Sequence, residues 1–113
     1  TQDLGIYANV EDIESPFLNR TFGNSGGNLY EGSFGSDFRP RSLPIFEKEN
    51  NEETNDGSDL RALAEVLGRA SDEELLEQVG ALVDLDAFFT YWAMEGLIGH
   101  WDGYAGDINN YFL

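Results

Sequence analysis

Residues 85–98 read Leu-Asp-Ala-Phe-Phe-Thr-Tyr-Trp-Ala-Met-Glu-Gly-Leu-Ile, and this run constrains the fold more than any other. On a helix, Leu85, Phe88, Phe89, Trp92, Ala93, Met94, Leu97 and Ile98 cover most of the circumference. A helix that is apolar nearly all round needs cover on every side, so it is expected to be the central buried helix of a packed domain. Asp84 is placed to cap its first turn and Gly99 to end it in the left-handed conformation. Gly96 permits close packing, and Glu95 interrupts the apolar stretch, so no membrane span is expected.

The segments before it alternate in kind. Leu4, Ile6, Ala8 and Val10 recur with a period of two, which predicts a half-buried strand ended by Asp12 to Pro16. Phe17 to Phe22 reads as a turn or short helix, and Gly23 to Gly27 as a flexible loop. Asn28 to Glu31 predicts a second short strand, which the Gly-rich segment turns into a hairpin. Residues 32–57 are poorly patterned and read as a long excursion tipped by the mobile acidic run Glu47 to Glu53. The Asp56-Gly57 turn superficially suggests a calcium loop, but the EF-hand register puts Leu63 where a Glu ligand is needed. Beyond it, Ser58 predicts an N-cap for a helix whose core stripe is Leu60, Leu63, Ala64 and Leu67. Ser71-Asp72-Glu73-Glu74 has the form of a capping box, followed by Leu75, Leu76, Val79, Leu82 and Val83 as core positions.

Charge narrows the range of partners. The chain carries 22 Asp and Glu against 6 Lys and Arg, a formal net charge of −16. Such a surface repels a phosphate backbone, so nucleic-acid binding is excluded as an expectation and anionic membranes are disfavoured. Basic proteins and divalent cations are the favoured partners, while solubility alone or adaptation to high salt would also account for the charge. With no cysteine, neither disulfides nor thiolate metal sites are available. No signal peptide is visible, and the ending Asn110-Tyr111-Phe112-Leu113 reads as a strand cut part-way.

The chemistry-bearing segment follows the apolar helix: Gly99-His100-Trp101-Asp102-Gly103-Tyr104-Ala105-Gly106-Asp107-Ile108-Asn109-Asn110. Phosphoryl transfer needs a carboxylate to orient the acceptor hydroxyl and a nearby oxygen ligand for the cation on the phosphates. Protein kinases supply both from one helix–loop–strand segment, and Asp102 followed by Asn110 repeats that logic. His100-Trp101-Asp102 echoes the kinase His-Arg-Asp triplet, although kinase spacing would place the Asn at position 107, where this chain has Asp. Asn109 is the alternative ligand if the register differs by one. His100 is read as a structural donor to loop carbonyls rather than a proton shuttle, and Trp101 as core or loop packing. A different enzyme class, a metal-dependent hydrolase, would use His100, Asp102 and Asp107 as ligands. A third reading is a non-enzymatic acidic module that binds cations or a basic partner.

Several segments, taken in order, resemble the spore coat protein H (CotH) kinase family. They are Gly5-Ile6-Tyr7-Ala8-Asn9-Val10-Glu11, Phe17-Leu18, Gly26-Gly27-Asn28-Leu29-Tyr30, Val83-Asp84-Leu85-Asp86-Ala87-Phe88, Gly99-His100-Trp101-Asp102-Gly103-Tyr104 and Asn109-Asn110-Tyr111-Phe112-Leu113. The resemblance implies an α+β fold, an incomplete atypical protein-kinase-like domain. Residues 1–31 would form its strand and hairpin part, 32–57 a variable acidic excursion, and 58–113 the helices and a catalytic-loop-like segment. It implies Ser phosphorylation on partner proteins with ATP and Mg2+ or Mn2+, in a spore-coat, cell-envelope or secreted setting. Asp102 would match the catalytic-loop Asp and Asn110 the metal-ligating Asn, with Asp107 assisting the metal. Glu11 would match a strand Glu that pairs the nucleotide-contacting cation. That cation and a further metal-binding Asp are expected outside residues 1–113, so this stretch alone is expected to be inactive; Lys48, in the acidic excursion, reads as a poor substitute.

Overall fold

The computed structural model describes residues 5–54 and 56–113. Its elements run α1 (Ser15–Phe22), β1 (Leu29–Gly32), β2 (Glu47–Asn50), α2 (Ser58–Arg69), α3 (Leu75–Gly80), α4 (Leu85–Ile98) and β3 (Tyr111–Phe112). Single 3-10 turns occupy Leu43–Ile45 and Glu52–Thr54. The arrangement is α+β, with an antiparallel sheet in the order β2-β1-β3 and most of the helix in the C-terminal half.

β1 is the central strand because both of its edges find partners. Tyr30 faces Lys48 and Glu31 faces Glu47 on one side. Glu31 faces Phe112 and Gly32 faces Tyr111 on the other. The Tyr111 ring lies so close over Gly32 that a Cβ there would come within 2.3 Å of it, so only glycine fits. Tyr30, Phe46, Leu60 and Tyr111 form the buried core, with Phe38, Leu43, Tyr104 and Ile108 packed against it. The fully buried Ser36 shares a 2.9 Å hydrogen bond with the Tyr111 hydroxyl, which satisfies both groups. Edge-to-face aromatic contacts lead from Phe46 through Tyr111 and Tyr104 to Phe88 of α4, coupling the sheet to that helix.

Several expectations are corrected. Gly5 to Val10 forms no strand, and Ile6 and Val10 are exposed; Leu4 lies outside the described residues. A period of two marks a strand only where a ladder forms, and the ladder order β2-β1-β3 does not include these residues. The Gly-rich loop makes no hairpin with β1. β1 pairs instead with β2, drawn from the run expected to be a mobile acidic tip. Lys48 is the reason a charged run enters the sheet. Its stem is buried, its Nζ donates to the Thr54 carbonyl at 2.9 Å, and it stands 5.6 Å from the centre of the Tyr30 ring.

The helices form where expected, but their caps and burial differ. The N-cap of α2 is Gly57, and Asp56 Oδ1 accepts from both Ser58 N and Ser58 Oγ at 3.0 Å. Leu60, Ala64 and Val66 are its buried positions, whereas Leu67 is exposed. Ser71 bonds the Glu74 side chain instead of a free amide, and α3 begins at Leu75 with no side-chain cap and no buried residue. α4 is the largest departure: Trp92 is 49% exposed and Leu97 80%, and the one buried residue of the helix is Glu95. Each residue called apolar is indeed apolar, but the described elements cover only the side of α4 that meets Tyr104.

Candidate functional site

The loop between α4 and β3 is set by what each of its ends must satisfy. Gly99, at φ 67°, turns the chain out of α4, and its N–H donates to the Glu95 carbonyl. His100 N donates to the same oxygen at 3.0 Å. The loop then winds around the Gly103 carbonyl, which accepts from Gly106 N at 3.2 Å and Ile108 N at 3.1 Å. Gly106 lies against the Trp101 carbonyl so tightly that a Cβ would fall 1.7 Å from its oxygen. Ile108 and Asn110 exit with φ of 58° and 50°. The left-handed region is a strained position for a β-branched residue and a tolerated one for Asn.

This winding brings Asp102, Asn109 and Asn110 of the predicted site residues together. Asn110 Nδ2 donates to Asp102 Oδ2 and to the Asp102 carbonyl, each at 2.9 Å. Asn109 Nδ2 reaches Asp102 Oδ1 at 3.3 Å. Asp102 is therefore a half-buried carboxylate held at both oxygens by amide side chains from the start of β3. Asp107 sits in the same loop, and its Oδ1 is buried without a hydrogen-bond partner. Trp101, expected to pack, is exposed. Glu11 lies in an irregular, exposed segment where its carboxylate pairs with Arg20 of α1, so its strand setting is not found.

Glu95 is the site residue that the sequence reading passed over, treating it only as a break in an apolar run. It is 3% exposed. Its Oε1 accepts from the Tyr91 hydroxyl at 2.6 Å and Tyr104 N at 3.0 Å, and lies 3.2 Å from His100 Nδ1. Its Oε2 accepts from Ala105 N at 2.8 Å. Burial alone would raise its pKa, but the bonds from Tyr91, Ala105, Tyr104 and His100 outweigh burial and hold it below the usual carboxylate range. The Tyr91 hydroxyl is pushed up, first by burial and then by its bond to Glu95. The available signal was a carboxylate in the middle of the apolar run after Asp86, since Glu is almost never buried unless paired. His100, expected to donate to loop carbonyls, stands against this α4 carboxylate instead.

Among the described residues no three His, Asp or Glu side chains gather as a metal cluster, and the hydrolase trio of His100, Asp102 and Asp107 is not assembled. What the loop offers is a smaller set of hard oxygens: the Asp102 carboxylate, the Asn110 amide oxygen and the unpartnered Asp107 Oδ1. Oxygen donors of this kind are those that Mg2+ and Mn2+ take.

A carboxylate clamped by amides in a loop between helix and strand, on an α+β scaffold, is the class of site this chain presents. The chain matches the family model described as CotH kinase protein over residues 1–113, and it belongs to that family. No curated protein and no solved structure matches it. Among the described residues no helix is long and apolar enough to cross a membrane.

Proposed function

We propose that residues 99–112 are the catalytic-loop segment of an ATP-dependent protein Ser/Thr kinase of CotH type, with Asp102 orienting and deprotonating the acceptor hydroxyl. The observation that supports this reading most is the double hydrogen bond from the Asn110 carboxamide to Asp102, because it couples the two residue types a kinase loop needs. The bond fixes the Asp102 carboxylate and turns the Asn110 amide oxygen away as a potential ligand. Asn110, with Asn109 as the alternative, and Asp107 would hold Mg2+ or Mn2+, which neutralises charge on the ATP phosphates when bound. Glu11 enters as the partner of a cation contacting the nucleotide, and Arg20 is the cation it pairs with here. The acceptor is a Ser of a partner protein, and the net charge of −16 favours a basic one. The family's spore-coat, cell-envelope or secreted setting suits such a partner.

A second reading, an acidic module for cations or a basic protein, draws on the sheet. Glu31 and Glu47 face each other directly across the β1–β2 pair, which is unfavourable without a counter-charge. The nearby Glu49 carboxyl is pushed up by desolvation and then by Glu31 and Glu47.

The test is ATP binding by calorimetry and phosphate transfer to a basic, Ser-containing protein, in the full-length protein with Mg2+ or Mn2+. Asp102→Asn is expected to lower transfer by about 10²-fold or more while ATP still binds. Asn110→Gly, which keeps the left-handed backbone, is expected to weaken metal-dependent ATP binding. If the unaltered protein binds no nucleotide, the kinase reading falls and the acidic module takes its place.

A further inference from the structure

Glu95, on the last turn of α4, stands outside the roles just assigned, yet its side chain carries more hydrogen bonds than any in the loop that follows. Its donors come from both sides of Asp102: His100 before it, and the Tyr104 and Ala105 amides after it. Its own main-chain carbonyl also takes the His100 amide, so one residue holds the exit of α4 by backbone and side chain together. Gly103 is fitted to it. A Cβ at Gly103 would stand 2.1 Å from Glu95 Oε1 and 2.4 Å from His100 Nδ1.

A carboxylate is suited to this place because it only accepts hydrogen bonds, and every group facing it here can donate. The cost of burying its charge is met by the Tyr91 hydroxyl of α4 together with the loop donors His100, Tyr104 and Ala105, so the charge depends on the loop conformation as well as on α4. The geometry points to Glu95 as the positioning residue of the site, fixing the path of residues 100–105 and so the placement of the Asp102 carboxylate against Asn110. This inference rests on the kinase reading for its effect on rate, but its structural part stands apart from that reading. Glu95 touches no reacting atom; it acts through Asp102.

Glu95→Gln keeps the volume but turns an NH2 group toward loop donors. Gly103→Ala approaches from the other side, leaving Glu95 in place and displacing its carboxylate. Both are to be made in the full-length protein. Each is expected to lower kcat on the order of 10²-fold with KM for ATP unchanged, the signature of a misplaced group and not of lost binding. Amide hydrogen exchange is expected to rise over residues 100–110 while β1, β2 and α2 keep their protection. The inference is overturned if kcat and local exchange stay at their unaltered values in both variants. It is also overturned if protection is lost across the whole chain, which would make Glu95 a general stability residue. If the unaltered protein and Asp102→Asn are equally inactive, the kinase reading fails separately, and the exchange pattern still decides whether Glu95 holds the loop.

Discussion

Two carboxylates, the buried Glu95 and the exposed Asp59, are held charged by hydrogen bonds. For Asp59, desolvation raises the pKa, but donation from Asn28 Nδ2, Leu60 N and the Tyr30 hydroxyl brings the net value down. The same contact works in reverse on Tyr30, whose hydroxyl is pushed up to about 12 by burial and then by Asp59. The linkage sign for the carboxylates follows directly. A group whose folded pKa is depressed adds stability above its unfolded value of about 4, and that stability is lost as pH falls through the folded value. Urea midpoints are expected to hold between neutral pH and about pH 5 and then fall with acid. Asp59→Asn is expected to flatten that fall; a slope equal to that of the unaltered chain would show that Asp59 is not among the groups responsible.

Among the elements, the helices are defined by local chemistry and the strands by distant partners. α4 begins where it does because Asp84 Oδ1 accepts from Ala87 N at 3.0 Å, with Asp86 in the first turn favourable to the helix dipole. Asp84→Ala is expected to cost about 1 kcal/mol, read as a lower urea midpoint with the denaturant slope unchanged. α1 follows the same logic, with Pro16 in its first turn and Gly23 at φ 70° closing it. β2 obeys neither hydropathy nor alternation. It exists because β1 offers a free edge and Lys48 can lay its stem along Tyr30 while its charge reaches a carbonyl. Ser33 Oγ also reaches Glu47 at 3.1 Å, so the acidic end of the strand has at least one donor.

At the scale of the whole molecule, charge and shape oppose compaction. The radius of gyration is 16.5 Å, against about 13 Å for a compact chain of this length. The acid–base pairs Arg20–Glu11, Arg39–Asp37 and Arg69–Glu65 are largely exposed, and each such pair contributes little. At neutral pH self-repulsion from a net charge of −16 therefore outweighs these exposed pairs. Raising ionic strength from about 0.01 to 0.15 M shortens screening from roughly 30 to 8 Å. The thermal midpoint is expected to rise over that interval. A fall would mean that the ion pairs outweigh the repulsion. The exposed face of α4, with Trp92, Leu97 and Ile98, is consistent with the same imbalance of apolar surface and cover.

By itself the sequence determined the helix positions, the Asp84 and Gly99 caps of α4, the strand at β1, the family, and the presence of Asp102 and Asn110 in one segment between α4 and the last strand. These depend on bonds within a turn or two, or on an ordered set of motifs, and both are written along the chain. The tertiary structure alone decided that Glu47 to Asn50 would be a strand and Gly5 to Val10 would not, because a ladder joins segments far apart in the chain and a sequence does not say which segments pair. It alone showed that α4 is mostly uncovered, since hydropathy states how much cover a helix needs and not whether neighbours supply it. Glu95 belongs with these: its charge is bearable only because Tyr91, His100, Tyr104 and Ala105 converge on it, and convergence is a property of the folded loop.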